Sequence, residues 1–302
     1  MKILYIAVHN YKNETNWRTE GQINSSFNKH GIETIKIDYR KTIKESNTEV
    51  LKELIYEKSL LTDLIFLQRG NKLTPDLFNK IQIPIVFWST EPINLKSDVD
   101  YLLSSKIFSW VFVHTYSCMD RIHKDFSHLK NKTSVIHNAI SEDKININKH
   151  KKRNYFAIFN RKTSLRRILW LWPSRNYIQK IRGHFGEKYF SDLANSFISI
   201  NIHFSSKNLD DFETGIFEAM ASGCIVVSEN LDSRTLNDLS MNECIIQVKS
   251  RKELKSKLKY LKDNPNIISD YQKKTEPIIK KNTWFYRVEK FKNKFEEVLS
   301  SK

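Results

Sequence analysis

The residues with the clearest capacity for chemistry fall in one stretch, Asp210-Asp-Phe-Glu-Thr-Gly-Ile-Phe-Glu-Ala-Met-Ala-Ser-Gly-Cys-Ile-Val-Val-Ser228. Thr214, Gly215 and Ile216 stand where a short helix bearing Ile216, Phe217, Ala219 and Met220 is expected to begin, with Thr214 as its cap. Free amides at a helix start, aided by the helix dipole, suit a phosphate or pyrophosphate. Gly215 lets a ligand approach the backbone. Glu218 follows one turn in, placed to accept hydrogen bonds from a diol such as ribose. Asp210, earlier in the loop, can hold hydroxyls at the other end of the same ligand, and Glu213 is the alternative carboxylate for that task. The plain alternative is an amphipathic helix with Glu218 on its wet face.

Other candidates follow expected strands. After a strand at 155–159 comes Asn160-Arg-Lys-Thr-Ser-Leu-Arg-Arg167, whose Arg161 and Arg167 can neutralise a departing diphosphate. After a strand at 85–88 comes Ser89-Thr-Glu-Pro92, where Glu91 either orients or deprotonates a hydroxyl or caps the Pro92 turn. His9, after the first strand, and Arg69, after a strand at 63–67, edge the same region and are weaker candidates on the acceptor side. No metal site is expected. Asp98-Val-Asp100 opens a helix, where carboxylates favour the dipole, and His114, His123 and His128 lack ligand spacing.

The elements that position these residues alternate. Residues 1–138 give strands at Ile3–Val8, Ile32–Asp38, 63–67, 85–88, 110–113 and 134–136, with helices at Trp17–His30, Thr48–Leu61, Asp98–Ser105 and Ser117–Lys124. The second half gives strands near 155–159, 177–182, 197–203, 225–228 and 244–248, then helices near 251–262, 266–281 and 284–299. Repeated βα units imply parallel sheets covered by helices. The expected division is an N-terminal domain at 1–140, a polar linker at 141–153, and a C-terminal domain at 154–302.

With 40% hydrophobic residues and 18 Phe in 302, the chain can fill real cores, so wholesale disorder is excluded. No apolar run is long enough to cross a bilayer, and the first residues read as a buried strand rather than a signal peptide. Cys118, Cys224 and Cys244 suggest neither a disulfide frame nor zinc, so a reducing cytoplasm is the expected setting. The net charge of +16 is uneven: 21 basic against 17 acidic residues in 1–150, but 29 against 17 in 151–302. Residues 151–182 hold ten basic residues and no acid, a field that attracts anions. Leu165–Trp172 mixes these cations with apolar residues; it is expected to be a crossover helix buried on the sheet, the alternative being a helix lying on a membrane surface.

An acid at 210, seven intervening residues and then Glu218-Ala-Met-Ala-Ser-Gly223 resembles the donor motif of retaining, group-1-type nucleotide-sugar glycosyltransferases with the GT-B fold, nearest to the spore-maturation-type subgroup. Asp210-Asp-Phe-Glu departs from the Glu-Gly-Phe-Gly usual there, Ala139 replaces a usual Gly after Asn138, and no catalytic His ends the strand at 85–88. The resemblance implies two Rossmann-like domains with an interdomain cleft, the last helix (284–299) returning to the first domain. It implies a nucleotide-diphosphate-sugar donor, no obligatory cofactor or metal, and retention, with Asp210 (or Glu213) as the catalytic carboxylate that holds the sugar. Glu91, the nearest titratable group after the strand at 85–88, is the expected catalytic residue facing the acceptor. The donor would be held by Arg161, Arg167, Glu213, Thr214, Gly215, Ile216 and Glu218. The expected partners are a glycan or lipid-linked acceptor and an anionic membrane at the periphery, with no nucleic acid. A degenerate, non-enzymatic transferase fold or a basic polyanion-binding protein is the competing expectation.

Overall fold

The computed structural model describes residues 1–9, 18–147, 152–180, 186–205 and 212–301. Asp210 and Trp17 lie outside the described residues. The chain divides into two compact units, Met1–His137 with Trp284–Lys302, and Asn138–Thr283.

The first unit is a parallel sheet of β1 (Lys2–Ala7), β2 (Glu33–Asp38), β3 (Leu64–Gln68), β4 (Ile85–Ser89), β5 (Trp110–Val113) and β6 (Thr133–Val135). The strand order is β2-β1-β3-β4-β5-β6. Strands β1, β3 and β4 are buried almost throughout, as continuous apolar runs in a two-sided sheet should be. The helices are α1 (Thr19–Lys29), α2 (Tyr39–Glu45), α3 (Thr48–Ser59), α4 (Asp100–Leu103) and α5 (Tyr116–Asp125). The C-terminal helix Trp284–Ser300 also belongs to this unit. Its Phe291 and Phe295 rings lie 5.1 and 5.4 Å from Phe66, and Trp284 lies edge-on to Trp88 at 5.5 Å. Each such buried ring contributes about 1.5–3 kcal/mol.

The second unit orders β7 (Tyr155–Ile158), β8 (Ile178–Lys180), β9 (Ser196–Asn201), β10 (Ile225–Glu229) and β11 (Ile245–Val248) as β11-β10-β9-β7-β8, again all parallel. Its helices are α6 (Leu165–Leu171), α7 (Gly186–Ala194), α8 (Thr214–Ala221), α9 (Ser233–Asp238), α10 (Arg251–Asp263) and α11 (Pro265–Lys281); the C-terminal helix is then α12. Cys118 in the first unit and Cys224 and Cys244 in the second are free and buried. Burial pushes the Cys224 thiol up to about 12.

Three expectations need correction here. The expected linker at 141–153 falls, where described, inside the second unit, and that unit already begins at Asn138, within the expected first domain. Ser141 is buried, and the Asn146 N–H donates to the Ala221 carbonyl at 2.8 Å. A helix, α2, fills the gap between the second strand and α3, capped by the Asp38 carboxylate accepting from the Lys41 N–H at 3.0 Å. Crossover α6 is not buried along its apolar face: Leu165, Ile168, Leu169 and Trp172 point outward, while Arg167 and Leu171 point in.

Candidate functional site

Sheet topology decides where ligands can sit. In each unit the chain leaves two adjacent strands in opposite directions, opening a crevice at their carboxyl ends. In the second unit those strands are β7 and β9, and in the first β1 and β3. Each crevice carries a charge cluster.

In the second unit the loop after β7 supplies Arg161, helix α6 supplies Arg167, and the segment before α8 supplies Glu213. Glu213 bridges them, one carboxylate oxygen accepting from Arg161 Nη1 and the other from Arg167 Nη2, each at 2.6 Å. All three are largely buried, with side chains 10%, 3% and 22% exposed. Burial disfavours both cations. At Arg161 the Glu213 carboxylate outweighs burial and basicity rises. At Arg167 burial prevails despite Glu213, the Arg161 charge adds to it, and basicity falls. The trio keeps one positive charge in excess.

The two arginines differ in duty. Arg167 also donates to the Ile202 carbonyl at 2.7 Å and the Lys162 carbonyl at 2.8 Å, and its guanidinium lies over the Phe159 and Phe204 rings. It ties the loop after β7 to the end of β9. Arg161 instead lies against the start of α8, its guanidinium within 2.4–2.6 Å of where a Gly215 side chain would begin. Gly215 therefore makes room for a cation, a role that the expected approach of a ligand to its backbone did not include.

Helix α8 starts one residue earlier than expected: Glu213, in an extended conformation, occupies the cap position, and Thr214 is the first helical residue. The Ile216 N–H is not free, because it donates to the Glu213 carbonyl at 2.9 Å. Among the described residues no acceptor meets the Thr214 and Gly215 N–H groups, the positions a helix start leaves open. At the other end Gly223, at φ +77°, closes a Schellman turn. Its N–H donates to Met220 and the Cys224 N–H to Ala219, both at 2.9 Å, while Arg153 Nη2 donates to the Ser222 carbonyl at 3.0 Å.

Glu218 is half-buried and accepts from the Tyr189 hydroxyl. Burial raises its pKa above the usual carboxylate range; the Tyr189 hydrogen bond and the Arg161 charge oppose this, and Glu213 reinforces it. Tyr189 is raised well above its ordinary value by burial and by Glu218. Sequence reasoning missed Tyr189. The signal was there: after Gly186, Tyr189, Phe190 and Leu193 have helical spacing.

In the first unit Arg69 is the centre. Its Nε donates to Glu20 at 2.8 Å and its Nη1 to Glu91 at 2.5 Å. Glu20, almost fully buried, also accepts from Arg18 Nε at 3.3 Å. Burial alone would raise the Glu20 pKa, but Arg69 and Arg18 outweigh it and hold the group below the usual range. Arg69 adopts φ +73°, and the Gly70 N–H donates across it to the Gln68 carbonyl at 3.1 Å. A non-glycine residue in such a tight turn is strained, and strain of this kind collects at functional sites. His9 is lowered from its ordinary pKa by burial; its Nε2 meets the Tyr5 carbonyl at 3.1 Å. The structure thus joins Arg69 to Glu91 and adds Glu20, which the sequence did not single out. Asp100 is held by Arg121 at 2.6 Å, and no grouping of metal-ligating side chains occurs among the described residues.

No family model matches the chain, and no curated protein matches it. Solved structures do. A glycosyltransferase from Rickettsia africae superposes with a TM-score of 0.71 at 13% identity, over 99% of each chain. The chain has the GT-B fold. A sucrose-phosphate synthase from Thermosynechococcus elongatus follows at 0.67 and 10% identity over the whole of both chains. HepE from Anabaena, solved with UDP-glucose, gives 0.63 at 11% identity, again over both whole chains.

Proposed function

We propose that the protein transfers a sugar from a nucleoside-diphosphate donor to an acceptor hydroxyl, with retention, as an enzyme of glycan or envelope-polysaccharide synthesis. The observation that carries this reading is the excess positive charge at Arg161, set beside the Thr214 and Gly215 amides with Glu218 one turn in. An anion at the helix start would meet both the dipole and the guanidinium, so negative charge building on a departing diphosphate would be stabilised there. Glu218 would then exchange its tyrosine partner for, or share it with, a ribose diol. Arg167 would fix Glu213 and the β7 loop rather than touch phosphate. Glu213 or Asp210 would hold sugar hydroxyls, and Glu91, kept in place by Arg69, would orient the acceptor hydroxyl. The complex of HepE, a protein of the same fold, with UDP-glucose supports a nucleotide sugar as donor.

A thermal-shift panel of nucleoside diphosphates and their sugars tests the reading. We expect stabilisation by at least one nucleotide sugar, and Glu218→Ala to abolish it while leaving the ligand-free midpoint nearly unchanged. Loss of the midpoint itself in Glu218→Ala would mean that the carboxylate serves only the fold.

A further inference from the structure

We infer that the outward face of α6 is a docking surface for an anionic lipid bilayer. Leu165, Ile168, Leu169 and Trp172 follow the i, i+3, i+4, i+7 spacing of one helix face and are 75%, 45%, 51% and 62% exposed. A helix in a water-soluble domain normally turns such a stripe toward its core. Here the inward positions belong to Arg167 and Leu171, so the polarity of the helix is reversed. Phe204, also half exposed, lies beside Lys162, which precedes the helix. A contiguous apolar surface of this kind marks an interaction site.

Charge decides what covers it. Lys162 Nζ stands 5.6 Å from the Phe204 ring centre, and the Arg175 guanidinium stacks 4.7 Å over Trp172. Both cations are exposed, one toward each end of the stripe, and no acidic residue occurs anywhere in 151–182. Arg166 takes no part, since it is paired with Glu229. An apolar centre with a cationic rim matches the layering of a bilayer. Leucine, isoleucine and indole enter the headgroup–acyl boundary while Lys162 and Arg175 reach lipid phosphates. Among the described residues no helix is long and apolar enough to cross a membrane, so the contact would be peripheral. This inference stands apart from the transferase reading and requires no bound donor.

Co-sedimentation of the full chain with extruded vesicles tests it. We expect binding to phosphatidylcholine–phosphatidylglycerol vesicles in two-to-one ratio, weak binding to phosphatidylcholine alone, and loss of binding as salt rises. Leu169→Glu and Trp172→Glu should each lower partitioning about tenfold or more, and Arg175→Glu severalfold, with unchanged thermal midpoints because these side chains are exposed. Tryptophan emission should shift to the blue on binding, and less so in Trp172→Phe. Absence of vesicle binding, equal binding to both lipid mixtures, or indifference to Leu169→Glu would overturn the proposal. A dimer in sedimentation velocity that Leu169→Glu dissolves, without vesicle binding, would assign the face to a second copy instead.

Discussion

The two crevices solve one problem with opposite signs. In the second unit a carboxylate, Glu213, sits between two guanidiniums; in the first a guanidinium, Arg69, sits between two carboxylates. Arg18 completes the balance around Glu20, so the first cluster carries no excess charge, whereas the second keeps one positive charge. The excess charge favours an anion at the latter, and the balanced cluster has no such bias. The clusters also differ in depth: Glu91 is 41% exposed at the edge of its cluster, while the arginines around Glu213 are nearly covered. Identical sheet logic can therefore present unlike chemistry, because the residues just past the strand ends choose the sign.

Substitutions can break that contrast, and their effects on stability should fall in order. Glu213→Ala strands two buried cations beside each other and should cost about 3–5 kcal/mol, read by urea unfolding. Glu20→Gln should come next, at about 2 kcal/mol near neutrality. Its pH dependence carries the sign: Glu20 is depressed, so its contribution holds above the ordinary carboxylate range and disappears as pH falls through the lowered value. Wild type and variant should converge in acid. Glu91→Gln should shift stability by under about 1 kcal/mol, since an exposed ion pair is screened, yet lower kcat for the acceptor reaction. Smallest is Glu218→Gln. Its raised pKa makes the carboxyl's contribution complete below the ordinary range and lost as pH rises through the elevated value. The variant should thus match or exceed wild-type stability at neutral pH and lose that advantage in acid, while nucleotide-sugar affinity falls by about 10–100-fold. A stability ranking in which Glu218→Gln is the most damaging would dissolve the distinction between a supporting carboxylate and a binding one.

Much of the fold was readable in the residues. Continuous apolar runs such as Ile85-Val-Phe-Trp88 mark strands wherever they fall, and Gly223 stopped α8 where its positive φ now shows the turn. What escaped required knowledge of neighbours far along the chain. Nothing in the local sequence singles out Glu20; its partner Arg69 is 49 residues away and meets it across the adjacent strands β1 and β3. The role of Gly215 depends on where the Arg161 guanidinium comes to rest, which spacing does not encode. On α6 the periodicity was plain, but periodicity names a stripe without saying which way it faces. In the structure Arg167 is drawn inward to Glu213 beside Leu171, and Leu165, Ile168, Leu169 and Trp172 face outward.

The three thiols offer a consequence of their own. Alkylating reagents attack an accessible thiolate; all three thiols are buried, and burial pushes the Cys224 thiol up to about 12, so the closed molecule should react slowly with them. Any labelling then counts openings of the protein. Because Cys118 belongs to one unit and Cys224 and Cys244 to the other, the rates at these positions would time the breathing of each half separately, with no engineered probe.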